Sequence, residues 1–231
     1  MRHFMLMAGL GLATLASDAC GNGPILPLAV AAARNAAGTV HQLLRQGQSA
    51  DDRDATGLTA LMWAARTGAV DAMRALLDAG ADLEVHDRRN GWTALFHAIH
   101  KRQAPAVRLL LDRGADPNAA AHLGTTPLMM AAVDADPAIV ELLLAHGADP
   151  RGRGLGGSTA LSQTVSGGAL SDIDRPLLGG CHAKTATMLK THDPAIDLPD
   201  TIAGRVALWW ARLHGCREVI DLVGADAMRK K

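Results

Sequence analysis

Tyrosine is absent from the 231 residues, and only two Phe and four Trp are present. A β-sandwich, which draws on aromatic and β-branched strands, is excluded by that shortage. Charge of either sign is not in excess, because 23 basic residues face 23 acidic ones. No global field therefore draws the chain toward nucleic acid or anionic lipid. Beyond the first residues there is no apolar run of the roughly 20 residues needed to span a bilayer. HExxH, a Walker loop and a nucleophile elbow are all missing, so the common hydrolase signatures fail. What remains is a hydrophobic fraction of 48% carried by Ala and aliphatic residues. That composition suits helices packed closely through small side chains.

The chain opens with a segment of another kind. Arg2 and His3 give a positive start, Phe4 to Leu15 form an uncharged apolar run, and Ala16, Ser17 and Ala19 follow. This is the layout of a secretory signal peptide, with cleavage expected after Ala19 and residues 1–19 removed. Cleavage after Ala16 is the second choice. Cys20 would then lead the mature chain, which raises a lipid anchor. The usual lipobox has Leu three places before the Cys, and Ser17 stands there instead. The expectation is an exported bacterial protein, periplasmic or secreted, with lipidation at Cys20 as the alternative to a free N-terminus.

A repeat organises the rest. The segments "GLTALMWAARTGAVDAMRALLDAGADL", "GWTALFHAIHKRQAPAVRLLLDRGADP" and "GTTPLMMAAVDADPAIVELLLAHGADP" are copies, and Gly157 opens a fourth. Their first glycines, Gly57, Gly91, Gly124 and Gly157, stand 34, 33 and 33 residues apart. A degenerate copy precedes them and a last one opens at Gly204. The copies are placed at 24–53, 54–87, 88–120, 121–153, 154–199 and 200–228, with an insertion at 169–180 inside the fifth.

The physical roles of the recurring residues agree with a pair of helices per copy. Thr59, Thr93, Thr126 and Thr159 are placed to cap a first helix, with Pro127 at its first position. Met73, Leu76 and Leu77, like Val107, Leu110 and Leu111 or Val140, Leu143 and Leu144, make a buried stripe on a second helix. Gly80, Gly114 and Gly147 can end that helix in the left-handed conformation. The second helix of the fifth copy is expected over 184–191. No copy buries its own apolar face, so the copies must stack into a solenoid. In the last copy Val206 stands where Thr caps the others, and Arg229, Lys230 and Lys231 close the chain as a solubilising cap.

This pattern resembles the ankyrin repeat. The family's Thr-Pro-Leu-His turn appears as Thr126-Pro127-Leu128, and with Ala for Pro at Thr59, Thr93 and Thr159, although Met62, Phe96, Met129 and Ser162 replace the His. The resemblance implies an all-α repeat solenoid of helix-turn-helix units with β-hairpin fingers, in about six copies including degenerate caps. It also implies protein binding through finger tips and the concave face of the first helices. Carried over by position, the partner-binding candidates are Leu58, Arg66, Arg88, Arg89, Asn90, Trp92, His100, Lys101, His122 and Leu123. They describe an apolar stripe in a basic surround, suited to an acidic or mixed partner. Trp92 has two open readings: a binding hot spot, or a ring folded over its finger. Trp63, Trp209 and Trp210 are read as packing.

Other chemistry is weaker. Gly152, Gly154 and Gly157 spell GxGxxG with Asp172 beyond, but they occupy a finger rather than a strand-to-helix turn, so no cofactor is expected. His97 should point into the stack and His100 to the concave face, so the pair does not converge on a metal. Cys181 and Cys216 occupy equivalent places in adjacent copies. Helix packing would hold such places about 9–10 Å apart, beyond disulfide reach unless the insertion closes the gap.

The leading expectation is therefore a non-enzymatic protein-binding module of the cell envelope, a scaffold or accessory factor. An immunity-type inhibitor of a toxin or enzyme is its nearest alternative. A metal or enzymatic role through His86, His100, His122 or Asp172 and Asp174 in the insertion belongs to a different class.

Overall fold

The computed structural model describes residues 26–134, 136–166 and 181–227, with side chains described as far as Val223. The expected leader, Cys20, the insertion with Asp172 and Asp174, and Arg229 to Lys231 lie outside the described residues. Among the described residues there are twelve α-helices and no strand. They fall into pairs: α1 (Pro27–Ala33) with α2 (Ala37–Arg45), α3 (Ala60–Thr67) with α4 (Val70–Asp78), and α5 (Ala94–His100) with α6 (Ala104–Asp112). Next come α7 (Pro127–Asp134) with α8 (Pro137–Ala145), α9 (Ala160–Ser166) with α10 (Ala183–His192), and α11 (Ile202–Leu213) with α12 (Arg217–Ala227).

Each first helix packs on the first helix of the next pair, and each second helix on the next second helix. The result is two parallel rows, a solenoid whose core runs between them. Short helices of seven to twelve residues would not persist alone in water, so this packing is what holds them. Phe96, Leu61, Met73, Leu76, Leu110 and Ile139 are fully buried between the rows. No described helix is long and apolar enough to cross a membrane.

Local chemistry explains why the period repeats so faithfully. Gly80, Gly114 and Gly147 follow the second helices at φ +86°, +93° and +86°, a left-handed conformation that other residues adopt at a cost. The Asp two residues on then turns the chain. Asp82, Asp116 and Asp149 accept hydrogen bonds from the backbone N–H of Glu84, Asn118 and Arg151 at 2.9, 2.8 and 2.8 Å. These are Asx turns, the short side chain standing in for a backbone carbonyl. Side chains also tie successive turns together: Glu84 accepts from the Asp116 N–H at 2.9 Å, and Asn118 from the Asp149 N–H at 2.7 Å.

At the first helices the Thr caps divide. Thr59, Thr126 and Thr159 accept from the N–H of Met62, Met129 and Ser162 at 3.3, 3.3 and 3.2 Å. Thr93 stands at the same place in extended conformation but makes no such bond. The fifth pair's second helix, Ala183–His192, is one residue longer at each end than expected.

The C-terminal pair departs most from expectation. Helix α11 begins at Ile202, ahead of both Gly204 and Val206, and its cap is Thr201, which accepts from the Gly204 N–H at 3.3 Å. Gly204 therefore lies inside the helix, at a place where a Cβ would collide with the Pro199 carbonyl. Nor is this pair polar on its outer side: Ile202, Trp209 and Leu213 are 68, 60 and 61% exposed. Trp209, read as packing, is thus a surface residue.

Cys181 and Cys216 form a disulfide with Cα atoms 5.6 Å apart. The helix-to-helix spacing does not govern this pair, because both residues lie in the turns that lead into α10 and α12 rather than on the helix bodies.

Candidate partner-binding surface

Between consecutive pairs the chain makes a projecting finger, and the first two complete fingers are built on a buried carboxylate. Asp54 is 5% exposed. One of its oxygens accepts from the N–H of Thr56 and Leu58 at 2.8 and 3.0 Å, and the other from the Trp63 indole N–H at 2.8 Å. Asp87, also 5% exposed, accepts from the N–H of Arg89, Asn90 and Gly91 at 3.0, 2.7 and 3.0 Å. Its second oxygen lies 3.1 Å from His97 Nε2. Each finger is thereby clamped to the helix that follows it. A buried carboxylate is costly unless saturated in this way.

The clamp has an electrostatic signature at Asp87. Burial raises its pKa, but the His97 hydrogen bond, the Asn90 N–H, the attraction of His97 and the Trp92 N–H together outweigh that and bring it to about 2. The third and fourth fingers carry Ala121 and Gly154 at the corresponding place. They close by backbone alone, with N–H groups donating to the Thr125 and Ser158 carbonyls at 2.9 and 2.9 Å.

The fingers also lock against one another. The Arg53 guanidinium donates to the His86 carbonyl, and the His122 N–H to the Asn90 carbonyl at 3.0 Å. Gly91 is required where the fingers meet, since a Cβ there would come within 2.6 Å of the His122 ring. Its φ of +69° points to glycine as well.

On this frame the candidate residues separate into two groups. Arg88, Arg89, Lys101, His122 and Leu123 are exposed. Leu58, Arg66, Asn90, Trp92 and His100 are half-buried. Trp92 does not stand out from the finger. Its ring stacks on Phe96 at 6.2 Å, meets His97 edge-on at 5.5 Å and lies 5.0 Å from His100. The ring covers the finger's own root and stays half-buried. Arg66 lies over Trp63, its guanidinium carbon 5.8 Å from the ring centre. Leu123 is the opposite case: at φ +63° it is 63% exposed at a finger tip.

At the tips of the first two fingers Asp54 and Asp87 face inward to the backbone, which leaves Arg88 and Arg89 outward at the second. The opposite side of the solenoid has both signs, with Arg74, Arg108, Asp112 and Glu141 lining a groove along α4, α6 and α8. His97 and His100 do not converge: one bonds Asp87 and the other rests on Trp92. Among the described residues no three His, Cys, Asp or Glu side chains could hold a metal. Gly154 and Gly157 lie in the fourth finger, where residues Leu155–Gly157 form a single 3-10 turn.

Two features escaped sequence reasoning. The Asp clamps were hidden because a buried polar residue breaks the apolar pattern, although each Asp stands just ahead of a finger glycine. Leu155, 61% exposed, occupies the place of His122 in the next finger, and register alone would have found it.

The family profile for ankyrin repeats in three copies matches residues 28–121, and the single ankyrin-repeat profile matches residues 123–154. Together they span more than half of the chain. It belongs to the ankyrin-repeat family. No curated protein matches it. Ankyrin repeats are in general protein–protein interaction modules, typically non-enzymatic scaffolds. The profile matches stop at the fourth finger, and the ankyrin-like pairs α9–α10 and α11–α12 lie beyond them.

Proposed function

We propose that this ankyrin-repeat protein is an exported scaffold or accessory factor that binds one partner protein of the cell envelope. Binding uses the tips of the second to fourth fingers and the adjoining first helices. The observation that carries this reading is the rigid basic edge formed by Arg88, Arg89 and Lys101, with Leu123 and Leu155 exposed on the fingers beside it. The second finger, clamped by Asp87 and tied to the third by the His122 N–H on the Asn90 carbonyl, loses little freedom on binding, so contact energy there goes into affinity rather than ordering. A basic rim around small apolar tips selects an acidic partner segment by steering and by excluding cationic ones. Export rests on the charged start, apolar run and small residues of the first nineteen positions.

The test is affinity capture from an envelope extract with the wild type and an Arg88→Glu, Arg89→Glu double variant. Both side chains are exposed, so the fold should survive the change. Loss of a captured protein by the variant, with unchanged far-UV circular dichroism, is the expected result. Equal capture by both would remove the fingers from the binding site. Mass analysis of the chain from a secreting host should place the mature N-terminus at Cys20; an intact Met1 would end the export reading.

A further inference from the structure

We infer that the outer side of α11 is a self-association surface, on which two copies of this chain pair about a two-fold axis with their α11 helices antiparallel. The face of α11 toward the stack is made of Ala203, Gly204, Ala207 and Ala211, all buried, and α11 packs there on α9. Ile202, Val206, Trp209 and Leu213 follow one another at spacings of 4, 3 and 4 residues, which places them in one narrow stripe on the opposite side. Three of the four are at least 60% exposed. The stripe is not ordinary surface. In the preceding pairs the place of Trp209 is held by Met62, Phe96, Met129 and Ser162, exposed by 1, 0, 1 and 2%, because the next pair covers it. On α11 no described residue does so.

The occupant follows from symmetry and charge. A 4-3-4 spacing reads the same in both directions, so an antiparallel second copy sets Ile202 against Leu213 and Val206 against Trp209, twice over. Such a patch is self-complementary, as a two-fold interface requires. One flank of the stripe carries Arg205 and Arg212, and Asp200 is held against Arg205 at 3.4 Å with its side chain 93% exposed. In the antiparallel pair Arg212 of the second copy comes level with residue 203, between Asp200 and Arg205, so the two Asp200 carboxylates bridge the four guanidinium groups of this flank. The other flank carries Trp210 and His214, whose rings lie 4.3 Å apart, and no Lys, Arg, Asp or Glu of α11 lies there. A parallel pair would lose the Asp200–Arg212 complementarity.

Sedimentation velocity of the full chain between about 1 and about 100 µM, a range that brackets ordinary interface affinities, tests this. Expected is a concentration-dependent dimer that Trp209→Glu and, separately, Leu213→Lys each weaken at least about tenfold, as loss of a central apolar contact does. Helical content and partner capture by the fingers should stay unchanged, so failure here and failure of the finger site are told apart. Oxidising a mixture of Val206→Cys and Trp209→Cys chains should give a crossed dimer, while Ile202→Cys should not link to itself. A monomer throughout the range overturns the inference, whether Trp209 emission is water-like or already shielded by another part of the chain. A dimer that neither variant weakens, or efficient Ile202→Cys self-linking, overturns it as well.

Discussion

Among the described residues, those of 26–154 and those of 155–227 solve the same packing problem with different materials. In the first stretch the first helices bury large apolar side chains such as Leu61, Met62, Leu95, Phe96, Leu128 and Met129. In the second, α9 buries Ser162, Gln163 and Thr164, and α10 buries Thr185. Polar side chains of that kind supply less transfer energy per residue than the Leu and Met they replace. The disulfide between Cys181 and Cys216 sits in this poorer stretch. A covalent tie restricts the unfolded chain and so offsets a thin core. In a linear stack, where each pair touches only its neighbours, such differences become regional stability rather than averaging out.

The four tryptophans let the two regions be watched separately, since Trp63 and Trp92 lie in one and Trp209 and Trp210 in the other. The largest change should come from Phe96→Ala, which empties a fully buried site and costs about 3–5 kcal/mol. Urea unfolding read at Trp63 should then move far to lower denaturant. An unmoved midpoint would show that the first region does not depend on its apolar core.

Next comes removal of the bridge by Cys181→Ser with Cys216→Ser, enclosing a sequence separation of 35. A loss of about 3 kcal/mol is expected, confined to the C-terminal pairs. The Trp209 and Trp210 signal should melt earlier while that of Trp63 and Trp92 holds. A single coincident transition would erase the distinction between the regions.

Asp87→Asn is third. The native carboxyl titrates at about 2 against an ordinary 3.8, so its contribution is complete above the unfolded value and disappears as pH falls through 2. That difference corresponds to about 2 kcal/mol. Wild type should therefore lose stability between about pH 4 and pH 2, a window set by those two values. The Asn variant should start lower at neutral pH and lack that component. An identical slope in both would remove Asp87 as the acid-sensitive clamp.

The smallest effect sharpens a contrast within the first region. Thr59→Ala should cost about 1 kcal/mol through its lost cap bond. Thr93→Ala should cost less, because the Thr93 hydroxyl makes no cap bond. Equal losses in thermal melts of the two variants would show that the cap bond is not what Thr contributes.

Periodicity made the solenoid legible in the sequence. Helix positions follow from glycines and leucines that recur in register, which is why even α10, beyond the insertion, lies within a residue of its expected bounds at each end. Features set by contacts between repeats were not legible. Trp92 folds onto Phe96 and His100, and nothing in its position within the finger announces that choice. Asp54 and Asp87 are charged residues in an otherwise exposed stretch, and only the converging N–H groups of the turn reveal why they are inside. Helix α11 starts early because Gly204 permits close approach to Pro199, a contact absent from the other copies. The tie from Cys181 to Cys216 depends on turn geometry, which spacing along helices does not carry. The basic finger residues were found by register, but which of them stand free was settled by the packing of Arg66 on Trp63 and of Trp92 on its neighbours.

The most direct measurement of the binding surface is hydrogen–deuterium exchange on the captured complex, read against the free protein. Protection should appear at residues 86–92, 122–125 and 155–157 and around Lys101, with the outer helices α4, α6 and α8 unchanged. Protection confined to the grooved outer row, with the fingers exchanging as before, would contradict the assignment of partner binding to the basic finger edge.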